Sequence, residues 1–200
     1  MKALVFDTET TGLKPGQICQ LSYIIDDDGE VQAKNFFFKV VYMEYAAYMI
    51  HGFTPGKLEE LSGNHEFKDS IEEINKDFTE ADVLVAHNFS FDKMFMKKEF
   101  GRCKREFKFS SQYCTMRNLK ETCELKRKDG DPKFPKLQEL VHFMGVEEDE
   151  VLQKTRSLFE SSAIAYHDAR YDVTATYLSF IRGIDRGYIN LEVAGGLAFK

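Results

Sequence analysis

Apolar positions along this chain switch between two periods. Residues 3–7 (ALVFD) form a short apolar run ending in an acid, residues 18–25 (ICQLSYII) form a second, and GLKPG supplies turn residues between them. The pattern predicts two antiparallel strands. After the acidic turn DDDGE, residues 31–41 (VQAKNFFFKVV) read as a third strand rich in Phe and Val, completing a meander. Helical spacing takes over at 70–80, where Ile71, Ile74 and Phe78 share a stripe, and VLVAHN at 83–88 reads as a buried strand. FDKMFMKKEFG follows as a helix. KLQELVHFMGV sets Leu137, Leu140, Val141 and Met144 on one stripe, with Gly145 near the helix end. The segment HDARYDVTATYLSFIRG predicts a last helix, capped by Asp168, with Ala169, Val173, Thr176, Tyr177 and Phe180 on its apolar face. Strands with intervening helices predict an α/β layered domain, because each sheet face needs a helical cover.

Length allows one ordinary domain, and 43% hydrophobic residues suffice for its core. We expect a domain over 1–182 and a tail over 183–200 of unknown role. No apolar run approaches the roughly 18 residues of a membrane span, and the start MKALVFD lacks the regions of a signal peptide, so the expectation is no membrane partner and a cytoplasmic protein. The four cysteines form no C-x-x-C pair, which argues against a zinc knuckle or redox motif.

Net charge is −6, too acidic for a protein that coats nucleic acid by bulk electrostatics. The charge is uneven. From Lys93 to Lys136 there are 14 Lys/Arg and 6 Asp/Glu, so this stretch carries +8 and the remainder −14. A basic middle can track a phosphate backbone or can be solvated helix faces and loops. The stretch KRKDGDPKFPK at 126–136 reads as a loop.

Asp7 and Glu9 lie two apart near a strand end, so their side chains emerge from one face of the sheet. Such a pair is costly unless it meets water or a cation. Asp92 opens the helix after VLVAHN, where it either converges on the sheet edge or favours the helix N-terminus. Asp172, one turn into the last helix, and His167, five positions earlier, are each ordinary in isolation.

Taken together, FDTETTGL (6–13), AHNFSFDKMF (86–95) and HDARYDVTATYL (167–178) resemble, in order and spacing, the three motifs of DEDDh (DnaQ-like) 3′–5′ exonucleases. IHGFT (50–54), CTMRNLK (114–120) and KLQELVHFMGV (136–146) look like the family's connecting segments. The resemblance implies a ribonuclease H-like α/β fold: a mixed sheet led by three antiparallel strands, with helices on both faces. It implies that Asp7, Glu9, Asp92 and Asp172 hold two Mg²⁺ or Mn²⁺ ions and that His167 is the general base. One ion would activate the attacking water and the second would steady the leaving 3′ oxygen. Thr10, Leu13, His51, Phe53, Asn88 and Phe91 would contact the terminal nucleotide; for Phe53 and Phe91 core packing is the alternative. The implied partners are 3′ ends of single-stranded DNA or RNA, DNA favoured, and beyond them a DNA polymerase or a second copy of the chain.

Two features depart from the simplest family pattern. The tail GIDRGYINLEVAGGLAFK matches no motif, and VYMEYAAYMIHGFT lacks the proline expected after the third strand. Two other readings compete. The dipeptide His167-Asp168 suggests an HD-type metal phosphohydrolase, but only four other histidines remain (His51, His65, His87, His142) and the N-terminal half is strand-rich. An inactive exonuclease-like binding module is the other, against which the intact set of four acids and His167 speaks.

Overall fold

A computed structural model describes residues 1–162, 167–193 and 197–199. Strand β1 (Lys2–Thr10) pairs antiparallel with β2 (Ile18–Asp27), which pairs antiparallel with β3 (Glu30–Phe37). On its other edge β1 pairs in parallel with β4 (Val83–Ala86), and β4 in parallel with β5 (Gln112–Cys114), giving the order β3-β2-β1-β4-β5. This is the mixed sheet led by a three-stranded meander.

The central strand explains why ALVF reads as continuous rather than alternating. Leu4 and Phe6 point into one core with Ile74, Phe78, Phe89 and Phe95, while Ala3 and Val5 point into a second with Val141, Val173 and Phe180. Both faces of β1 are therefore covered by helices. On the first face lie α3 (Ile71–Glu80), preceded by one 3₁₀ turn, and α4 (Phe89–Arg102). On the second lie α6 (Leu137–Phe143), α7 (Glu148–Phe159) and α8 (Ala169–Asp185).

The third strand is shorter than expected. It was predicted through residue 41, but its ladder with β2 ends at the Gln20 and Phe37 pair; the Phe38 amide then bonds the Cys19 carbonyl and the Lys39 amide bonds that of His65. The chain turns away there into α1 (Tyr45–His51) and α2 (Pro55–Ser62). Pro55 stands at the first turn of α2, where its lost amide costs nothing. A one-turn helix, α5 (Thr115–Asn118), follows β5.

Helix α8 runs past the expected boundary at 182. Gly183 is in close contact with Ile189, which is buried in the second core, so the start of the tail packs on this domain. A short hairpin, β6 (Leu191–Val193) with β7 (Leu197–Phe199), ends the described chain; residues 194–196 and 200 of the tail lie outside it. Among the described residues no helix is long and apolar enough to cross a membrane.

Candidate active site

Strand parity puts Asp7 and Glu9 on the β1 face that carries Ala3 and Val5, the face covered by α8. Asp172 comes down from the first turn of α8 to meet them. One carboxylate oxygen from each of Asp7, Glu9 and Asp172 falls within 4.8 Å of the others. Asp92 arrives from the opposite face, in the first turn of α4, and its carboxylate accepts a 2.8 Å bond from the hydroxyl of Thr8, which points to that face. The short β4 makes this possible. Its last residue, Ala86, is followed two positions later by Asn88 in the left-handed conformation (φ 73°), which starts α4 at once. Asparagine tolerates that region better than most residues.

The N-terminus of α8 is docked on the sheet by buried polar groups. Asp168 caps the helix through the Arg170 amide and pairs with the Arg170 guanidinium at 2.6 Å. Gln20, opposite Glu9 in the β1–β2 ladder, donates to Asp168 and to Asn35 and accepts from the Ala169 amide. Ser22, opposite Asp7, donates to the same Asn35 oxygen. This network sets the start of α8, and with it Asp172, relative to β1.

Burial drives the electrostatics. It pushes the Asp7 carboxyl well above the usual range, helped by the charges of Asp92, Asp172, Glu9 and Asp168. Glu9 is raised well above its range for the same first reason, with Asp172, Asp168 and Asp92 adding to it. Burial lifts Asp92 to about 7 against the pull of the Thr8 hydroxyl and two backbone amides. Asp172 is pushed up to about 6 by burial, with His167 lowering it and Asp168 raising it. Protons or a cation must neutralise such a cluster at neutral pH.

Two cavities flank the acids. One, of about 200 Å³, is lined by Thr10, Gly12, Leu13, Ile50, His51 and Phe91, with Leu13 72% exposed at its mouth. His51 is held there with its Nδ1 accepting from the Phe53 amide and its Nε2 against the Thr10 carbonyl, which fixes a neutral ring with hydrogen on Nε2. Burial lowers its pKa further. Phe53 stacks behind His51 and packs edge-on against Phe37, so it stands outside the cavity wall, and Asn88 serves as the α4 cap. The other cavity, of about 700 Å³, is bordered by Lys136, His142, Glu148, His167, Tyr171 and Asp172. His167 is exposed, with φ 59°, immediately before the α8 cap.

Sequence reasoning missed several of these participants. Asp168 was read as a helix cap and as half of the His167-Asp168 dipeptide, although its charge also acts on Asp7 and Glu9. Thr8 and Gln20 were not singled out; each lies within or directly opposite the D-x-E pair, and that placement was the available signal. Helix α1, which supplies Ile50 and His51 to the smaller cavity, was also missed.

The sequence profile of the RNase_T family, described as exonuclease, matches residues 4–180. The chain belongs to that family. Among curated relatives it is 31% identical over 101 residues to the PolC-type DNA polymerase III of Mycoplasmopsis pulmonis (strain UAB CTIP), covering 48% of this chain and 7% of that protein. It is likewise 31% identical over 111 residues to the DNA polymerase III subunit epsilon of Rickettsia conorii (strain ATCC VR-613 / Malish 7), covering 52% of this chain and 46% of that one. E. coli exonuclease I in complex with a dT13 oligonucleotide has the same fold, with a TM-score of 0.71 at 20% identity over 92% of this chain and 41% of that one. The zinc-bound form of the E. coli exonuclease I complex with single-stranded DNA is comparable, with a TM-score of 0.70 at 20% identity over 92% and 40%. This RNase_T chain therefore spans less than half the length of the relatives it matches. The shared fold is ribonuclease H-like. The family match over residues 4–180 is to exonucleases, against the HD-type alternative.

Proposed function

We propose that this chain is a divalent-metal-dependent 3′–5′ exonuclease that releases nucleoside 5′-monophosphates from single-stranded nucleic acid, with DNA the favoured substrate. The observation that carries the reading is the trio Asp7, Glu9 and Asp172, oxygens within 4.8 Å and Asp92 alongside, in a member of the exonuclease family. An all-oxygen donor set fits Mg²⁺ or Mn²⁺, and the raised carboxylates are a deficit that such cations would fill. The four acids would hold them. Two ions, when bound, supply a water of lowered pKa and charge neutralisation for the leaving 3′ oxygen.

The remaining chemistry belongs to the chain. His167, at the rim beside Asp172, takes the proton of the attacking water as neutral imidazole. Leu13, Ile50 and Phe91 give the terminal base apolar surface to lie against, which any base can use, so sequence selectivity should be weak. His51, with Nε2–H committed to a backbone carbonyl, is a wall of that pocket and not a second base. A DNA polymerase is the partner that the names of the two curated relatives suggest, and a cytoplasmic site of action accords with it.

The test is incubation with 5′-labelled single-stranded DNA and RNA, with Mg²⁺ or with EDTA. The expected outcome is a ladder shortening by one nucleotide from a free 3′ hydroxyl, absent in EDTA and faster on DNA. Cleavage of circular single strands at a comparable rate would overturn the exonuclease reading.

A further inference from the structure

The basic middle of the chain divides in the folded molecule. Helix α4 carries Lys93, Lys97 and Lys98, and among the described residues none of the three has a carboxylate within ion-pair distance. Their neighbours differ: Arg105 is paired with Glu72, and Lys108 lies 3.4 Å from Glu106. Lys93 is held in place, its ammonium 5.1 Å from the centre of the Phe109 ring and 3.0 Å from the Gln112 side-chain oxygen. Three uncompensated cations on one helix of a chain with net charge −6 mark a surface awaiting an anion.

The surface starts from the segments that also border the smaller cavity. An open groove of about 490 Å³ is lined by Pro15, Ser90, Lys93, Met94, Lys97 and Lys98. Ser90 adjoins Phe91 of that cavity along the chain, and Pro15 lies two positions after its Leu13. Lys93 and Lys97 also border a second groove, of about 630 Å³, whose lining includes Arg105, Glu106, Lys108 and Phe109. From Ser90 to Lys97 the helix rises about 10 Å, two to three nucleotides at roughly 3.4 Å per phosphate in a stacked strand.

We infer that the outer face of α4 is the track for the strand upstream of the 3′ end, its phosphates lying along Lys93, Lys97 and Lys98. The inference rests on the proposed function for the position of that 3′ end. It places the electrostatic contact on α4 rather than on Lys126, Arg127 and Lys128, which are exposed on a separate loop.

Binding and cleavage are read separately. Fluorescence anisotropy of a labelled 12-mer in EDTA, titrated from 50 to 200 mM salt, gives the slope of log affinity against log salt. Lys97→Gln/Lys98→Gln should flatten that slope by about 1.4, since each phosphate contact to a single strand contributes roughly 0.7. Lys97→Arg/Lys98→Arg should restore it, and Lys126→Gln/Arg127→Gln/Lys128→Gln should not change it. The affinity loss should be large for the 12-mer and small for a trinucleotide that ends within the smaller cavity. An unchanged slope in the α4 pair, a fall confined to the loop triple, or no binding of single strands by the wild type overturns the track. Wild-type binding with the expected slopes but no Mg²⁺-dependent cleavage sinks the exonuclease reading and leaves the track standing.

Discussion

At the scale of single residues, the acids and the histidine should fail in different ways. Asp7→Asn keeps size and shape but removes a charge from the most crowded position of the cluster. Calorimetric Mn²⁺ affinity should fall sharply. The same substitution should stabilise the metal-free protein by on the order of 1 kcal/mol, a rise of a few degrees in Tm for a chain of this size, because the cost of burying an acid whose pKa is raised by folding disappears. His167→Ala leaves every carboxylate in place, so Mn²⁺ affinity should hold while single-turnover cleavage drops about 10²–10⁴-fold. Cleavage by His167→Ala at the wild-type rate would show that another group takes the proton.

At the scale of elements, His87 links the end of β4 to the segment before α6. Its Nδ1 lies 2.9 Å from the Thr115 hydroxyl and its Nε2 lies 3.1 Å from the Pro135 carbonyl, and burial lowers its pKa to about 4. The native state therefore refuses a proton that the unfolded chain accepts near 6.5. Above that pH His87 costs nothing; as pH falls from 6.5 toward 4 the unfolded state gains protons relative to the native one, and stability drops by on the order of 3 kcal/mol. The raised carboxylates act oppositely over the same window, gaining native-state protons as pH falls. The difference between wild type and His87→Gln is thus the quantity to measure, by urea unfolding in EDTA at pH 7 and pH 4.5. The variant should lose less stability on acidification, and equal losses would show the ring to be a bystander.

The elements also show what was legible beforehand and why. Strands β1, β2 and β4 and helices α3, α4, α6 and α8 each bury an apolar run or stripe, and periodicity records burial. Helix α1 buries only Ala47 and exposes Tyr45, Met49 and Ile50, so it leaves no stripe to read. Helix α7 was missed although its acidic first turn, Glu148 to Glu150, is a start signal. In the site, strand parity alone put Asp7 and Glu9 on one face. The approach of Asp172 from α8 and of Asp92 from the opposite side is tertiary information, which local pattern cannot carry and which only the resemblance of whole motifs supplied.

At the scale of the whole molecule, the carboxylate trio joins the first strand to the last long helix: Asp7 and Asp172 are 165 positions apart. Chains emerge from the ribosome N-terminus first, so Asp7, Glu9 and Asp92 are all outside before α8 exists. Synthesis therefore imposes a delay. A half-made chain holds three of the acids without the fourth, and the cluster assembles only when α8 closes over β1. Ribosome-stalled chains ending at Phe159 should leave a labelled strand intact with Mg²⁺ present, whereas chains stalled behind a linker long enough to free α8 should degrade it. The order in which the polypeptide is made thus sets the moment at which the acid cluster is completed.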